Sequence, residues 1–134
     1  MKKNRQLLIY IALISWHICS NANADPIEDY CRNIVGDSFS LIETCIQQER
    51  QAQKEVAGKS TEQRIKDYCR SIVGDSFSLQ ETCIRQEEQA KANIANMSVS
   101  GRIFNYCKGI VGESYSLMET CIQQEQSAKS RLGY

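Results

Sequence analysis

A pair of cysteines separated by 13 residues, repeated three times at a step of 38, limits what this 134-residue chain can fold into. Residues 30–52 read YCRNIVGDSFSLIETCIQQERQA. Residues 68–90 read YCRSIVGDSFSLQETCIRQEEQA, and residues 106–128 read YCKGIVGESYSLMETCIQQEQSA. The first two copies agree at 19 of 23 positions, and 15 positions are common to all three, without a gap. Self-similarity at this period marks a repeat array, in which each unit buries its apolar face against the next. The connectors 53–67 and 91–105 are equally long but agree at only 4 of 15 positions. The copied segment has therefore been held more tightly than the connector.

Each unit reads as two helices around a glycine. In the first, Asp25 can cap a helix, Pro26 suits its first position, and Glu28 stands where a capping acid belongs. Ile27, Tyr30, Cys31, Ile34 and Val35 recur at i, i+3, i+4, i+7 and i+8, the stripe of a helix with one buried face. Gly36 can take the left-handed stop conformation. The second unit repeats the stripe from Ile65 to Gly74, with Ser60 and Gln63 as a capping box, and the third from Ile103 to Gly112. After each glycine, Ser40/Glu43, Ser78/Glu81 and Ser116/Glu119 have the spacing of a capping box that opens a second helix. Leu41, Cys45, Ala52 and Val56 fall on one face of that helix. Gly58 ends it in the first copy, and Asn96 or Ser98 in the second.

The expected fold is all-α: three tandem disulfide-stapled helix-turn-helix hairpins of 38 residues, covering 25–58, 59–96 and 97–134. Cys31 lies five residues before Gly36, and Cys45 five after Ser40. Both thus stand about 7.5 Å from the turn, on facing arms. Local bonds Cys31–Cys45, Cys69–Cys83 and Cys107–Cys121 satisfy this geometry three times over, out of 15 pairings that six cysteines allow. A 38-residue unit is too small for its core to suffice, so such staples are needed.

Residues 1–24 read as a secretory signal. Lys2, Lys3 and Arg5 open it, Leu7 to Ile14 form an apolar run, and Ala22-Asn23-Ala24 supplies small residues for cleavage. The run is short for a bilayer span, so no stable membrane anchor is expected after cleavage. Cys19, His17 and Trp16 would leave with it. Thirteen basic residues would then face 16 acidic ones. That balance leaves no basic stripe for nucleic acid. An even cysteine count suits an oxidising compartment, periplasmic or extracellular.

Chemistry is sparse. The thiols do not form C-x-x-C, which disfavours redox catalysis. Without histidine, two thiols per unit make only half a zinc site, so neither metal nor cofactor is expected. No catalytic residue stands out, and the commonest general base is missing from residues 25–134. Tyr30, Tyr68 and Tyr106 are expected to pack on the disulfides. Phe39, Phe77 and Tyr115 are expected to fold back over the turn, or else to form a contact surface. Gln48-Glu49, Gln86-Glu87 and Gln124-Glu125 are not explained by capping. Glu87/Lys91 and Glu125/Lys129 have ion-pair spacing, but Glu49 faces Gln53. The polar pairs either bond to the neighbouring unit or form a line presented to a partner. The expected function is a non-enzymatic protein-interaction module of the bacterial envelope, its partner another envelope or extracellular protein. A purely structural or stress-protective role is the alternative, and a thiol-disulfide redox protein the third.

Overall fold

A computed structural model describes residues 25–134. The segment 1–24, on which the signal reading falls, lies outside the described residues. Six helices follow in order among them: α1 Pro26–Val35, α2 Phe39–Gly58, α3 Gln63–Val73, α4 Phe77–Asn96, α5 Gly101–Val111 and α6 Tyr115–Arg131. They pair as three hairpins, α1–α2, α3–α4 and α5–α6, with no strand among the described residues.

The first helix of each hairpin begins and ends for local reasons. The Ile27 N–H donates to Asp25 Oδ1 at 3.0 Å, and Pro26 takes the first helical position, as expected. At the other end Gly36, Gly74 and Gly112 adopt φ of 67–68°. The Gly36 N–H donates to the Arg32 carbonyl at 3.0 Å. A side chain in this left-handed region would be strained, so glycine marks the turn in every copy. The Ser60/Gln63 capping box does not form. Helix α3 starts from Glu62 without a side-chain cap, and Gln63 instead bonds to Asp67.

The second helices start two residues earlier than their sequence suggests. Ser38, Ser76 and Ser114 hold the position before the first helical residue, and the latter two cap with their side chains, so Phe39, Phe77 and Tyr115 lie inside the helices. The Leu79 N–H donates to Ser76 Oγ at 3.3 Å, and the Leu117 N–H to Ser114 Oγ at 3.1 Å. Ser40 and Ser116 sit one position further in, and their carbonyls accept from Thr44 and Thr120. The S-x-x-E spacing at Ser40/Glu43 and its equivalents is therefore not a capping box here. Its acid comes from elsewhere, as described below.

All three cysteine pairs are bonded within their own hairpin: Cys31–Cys45, Cys69–Cys83 and Cys107–Cys121, each with Cα atoms 5.7 Å apart. The sulfurs form the core itself. One cluster of buried residues is Ile27, Cys31 and Cys45, with Tyr30, Val35 and Phe77 against it. The others centre on Ile65, Cys69, Cys83 and Ile84, and on Cys107, Met118, Cys121 and Ile122. Tyr30 and Tyr68 pack on these clusters as expected, whereas Tyr106 is 54 % exposed.

Hairpins join mainly through their long helices. α2 packs on α4 and α4 on α6, while the backbones of α1, α3 and α5 each approach only their own partner, and side chains such as Arg64 reach across to the next hairpin. The start of α4 at Phe77 lies beside Glu49, ten residues into α2. Further along, Val56 packs on the cluster that contains Ile84. The long helices thus run in the same direction, each shifted about 15 Å along the one before. This staggered stack lays the N-terminus of α4 against the flank of α2 and that of α6 against the flank of α4.

Candidate functional site

Two repeated features remain once the core is accounted for: the Gln-Glu pairs and an apolar edge. The Glu49 carboxylate is buried and accepts from Ser76 Oγ at 3.0 Å, from the Phe77 N–H at 2.6 Å and from the Ser78 N–H at 3.3 Å. Glu87 is buried likewise and accepts from Ser114 Oγ at 2.9 Å, the Tyr115 N–H at 2.5 Å and the Ser116 N–H at 3.3 Å. A helix start leaves its first N–H groups without intrahelical partners and carries a partial positive charge. Each carboxylate answers both needs for the helix of the following hairpin. The serine relays the bond: its hydroxyl donates to the glutamate and accepts from the backbone three residues on.

Of the two readings of the polar pairs, Glu49 and Glu87 follow the one in which they bond to the neighbouring unit. Both carboxylates are buried, and each already accepts three hydrogen bonds from the following hairpin. Glu87 does not pair with Lys91, which bonds to Glu62 at 2.7 Å instead. Gln48, Gln86 and Gln124 are exposed, and Glu125 is half-exposed, with no hairpin packed on it among the described residues. Among the described residues the polar line is thus broken into two internal staples, three exposed glutamines and one half-exposed acid.

Phe77 and Tyr115 do not fold over their own turns. They are half-buried against the preceding hairpin, Phe77 on the Ile27–Cys31–Cys45 cluster and Tyr115 on the Ile65–Cys69–Cys83–Ile84 cluster. The Arg64 guanidinium stacks 4.8 Å from the Tyr115 ring centre and donates to its hydroxyl. The Lys91 ammonium stands 5.6 Å from the same centre. Phe39, with no hairpin before it, is 80 % exposed.

The second feature was read from sequence as core. Ile34, Ile72 and Ile110, and Leu41, Leu79 and Leu117, are all 52–60 % exposed. Each isoleucine lies in the last turn of a short helix, and each leucine in the first turn of a long one. Together they give every hairpin an apolar turn end, next to an exposed acid at Asp37, Asp75 or Glu113. The cause is the narrow contact. A short helix with one neighbour buries a thin stripe, here Ile27 and Cys31, with Val35 half-buried. Adjacent residues diverge by about 100° around a helix, so Ile34 and Val35 cannot both face inward. The doublets Ile34-Val35 and Leu41-Ile42 already carried that signal. Leu41 turns outward, and Ile42 is buried in its place.

The charged surface is locally paired. Arg50 Nη2 meets Asp25 Oδ2 at 2.6 Å, and this bond holds the Asp25 carboxyl below its usual range. The Lys91 bond does the same for Glu62, and Glu62 raises Lys91 in turn. Burial pulls Arg64 down, but Tyr115 and Glu62 outweigh it and raise the guanidinium. Both depressed carboxylates contribute stability above their ordinary values of 3.8 and 4.5, and that contribution is lost as pH falls through the lowered ones. Both face solvent, so the effect is screened and small. The Asp25→Asn variant should melt slightly below the parent at pH 7. The gap should close in acid, as followed by circular dichroism at a series of pH values.

Among the described residues no cluster of three or more His, Cys, Asp or Glu is placed to hold a metal. No helix among them is long and apolar enough to cross a membrane. A groove follows the seam between the first two hairpins, lined by Ile27, Tyr30, Glu49, Phe77 and Gln80. It is the flank of the inter-hairpin contact, and its one buried acid is already committed to Ser76, Phe77 and Ser78. No family model matches the chain, and neither the curated proteins nor the solved structures give a significant match.

Proposed function

We propose that this chain is an exported, non-enzymatic helical repeat protein that binds another envelope or extracellular protein along its apolar turn edge. The observation that carries this reading is the outward position of Ile34, Ile72, Ile110, Leu41, Leu79 and Leu117, which are identical in type in all three copies. Core packing accounts for identity at buried positions. It does not account for six large apolar side chains held at exposed ones, where repeated apolar surface marks a contact site. Asp37, Asp75 and Glu113 on the same edge oppose docking on an anionic lipid surface, so a protein with an apolar, basic-flanked face fits best. Three buried disulfides support a periplasmic or secreted location, in keeping with the signal reading of residues 1–24.

Replacing Ile34, Ile72 and Ile110 together with serine should leave folding within about 0.5 kcal/mol per site, because each is half in water already. Cross-linked partner recovered from whole cells should fall sharply. Recovery of the same partner at the same yield would reject this edge as the site. The structural or stress-protective alternative draws on the three staples. It predicts that the triple-serine variant fully restores the envelope phenotype of a deletion strain. A redox role would require reactive thiols, and a titration of the native protein that finds none removes it.

A further inference from the structure

The junction between hairpins is made twice among the described residues, and its two halves recur uncovered there at the first and last hairpins. Its donor half is the start of a long helix. In the second and third hairpins, Ser76 and Ser114 are buried at 2–3 % exposure, capped by the preceding glutamate. In the first hairpin the same place is open: Ser38 makes no cap bond, and Phe39 projects into solvent. Ile46 is half-buried, whereas its equivalents Ile84 and Ile122 are 1 % and 0 % exposed under the preceding hairpin.

The acceptor half is the flank of a hairpin. At the last hairpin it is intact but uncovered. Glu125 occupies the position of Glu49 and Glu87 and has no hydrogen-bond donor among the described residues. Ile103 and Tyr106 stand where Ile27 and Tyr30 receive Phe77, and they line an open pocket together with Glu125, Ala128 and Leu132. Leu132, at the position of Val56 and Ile94, is 73 % exposed. Arg102 and Lys129 repeat the positions of Arg64 and Lys91, the two cations over the Tyr115 ring.

Charge completes the match. At the internal junctions Glu81 pairs with Lys59 at 3.0 Å, and Glu119 accepts from Asn93 at 2.8 Å. The open ends offer Glu43 at the first position and Arg131 at the position of Asn93.

We propose that copies of this chain stack head to tail, the last hairpin of one receiving the first hairpin of the next by repeating the internal junction. Glu125 caps the helix start at Ser38, Phe39 and Ser40 of the following copy. Phe39 enters the pocket of Ile103 and Tyr106 under Arg102 and Lys129, Leu132 covers Ile46, and Arg131 meets Glu43. The two surfaces differ, so the contact is heterologous and grows into an open filament unless the rotation per copy closes a ring. Inside one chain the tether supplies an effective concentration in the range of about mM. Between chains that help is missing, so assembly depends on protein concentration.

The test uses the native oxidised protein as its own cell processes it, examined by sedimentation velocity over a rising concentration series. The parent should shift from monomer to a ladder of larger species. Phe39→Glu blocks one end and Leu132→Glu the other. Both sites are largely in water, so circular dichroism should show each variant folded like the parent. Each variant alone should weaken association at least tenfold. Mixed in equal amounts, the two should form a dimer and stop, because one intact head meets one intact tail. A parent that remains monomeric throughout the series overturns the proposal. So does association of either variant equal to the parent's, or a mixture that yields no dimer.

Discussion

Reduction of the native protein is expected to unfold all three hairpins together. In the first hairpin the central cluster has three buried members, and two of them are the half-cystines themselves, beside Ile27. Breaking Cys31–Cys45 therefore removes both the constraint on the unfolded chain and the centre of the core. Closing a loop of this length contributes about 3 kcal/mol in the chain-entropy model, and three such bonds come to about 9 kcal/mol. Total folding stability of a small domain is about 5–15 kcal/mol, so little would be left. Helices of 10 or 11 residues, such as α1, α3 and α5, are marginal by themselves in water. Far-UV circular dichroism with and without reductant should show loss of most helical signal at 25 °C. The paired variant Cys69→Ser/Cys83→Ser should be nearly as damaging, because the middle hairpin supports both neighbours. A reduced protein that melts within a few degrees of the oxidised one would show that apolar packing alone suffices.

The second large effect concerns the buried glutamates. Glu87→Ala should destabilise the protein by about 2–4 kcal/mol, since Tyr115 and Ser116 lose a charged acceptor for their backbone N–H groups and Ser114 loses its hydroxyl's partner. For a chain of this size that is a fall in melting temperature of roughly 10 °C. Glu49→Ala should act alike on Phe77, Ser78 and Ser76. Glu125→Ala is the internal control. It is the same residue in the same repeat position, yet with no helix to cap it should change stability by no more than about 0.5 kcal/mol in dilute monomer. Because stacked repeats communicate only through their interfaces, losing a cap should also broaden the transition or split it in two. Equal destabilisation at all three glutamates would mean that their role lies within each hairpin, not between them.

Much of this architecture was legible before any coordinates. The repeat of 38 set the number of hairpins, the glycines set the turns, and the equal distance of each cysteine from its turn set the pairing. These are local properties: a glycine at φ near 68° ends a helix whatever surrounds it, and a disulfide between facing arms needs only the rise per residue. What neighbours do was not legible. Ser40/Glu43 has the spacing of a capping box, but the helix starts at Phe39 and its second-hairpin counterpart takes its capping acid from Glu49, 28 residues earlier in the chain. The stripe of Ile27, Tyr30, Cys31, Ile34 and Val35 promised a broad buried face. How much of it is covered depends on how many helices pack there, and α1 has one.

The same distinction separates the two fates of an identical residue. Glu49, Glu87 and Glu125 sit in near-identical local sequences, and nothing in those sequences says which carboxylate is buried. The answer lies in whether another hairpin follows. Chain composition and period therefore specify the unit, its staple and its turn, because these depend on bonds and dihedrals within a few residues. The stacking of long helices specifies which polar groups become internal caps, which isoleucines stay in water, and which ends remain open. Those outcomes depend on what surface comes to lie against each hairpin, and that is a property of the assembled array.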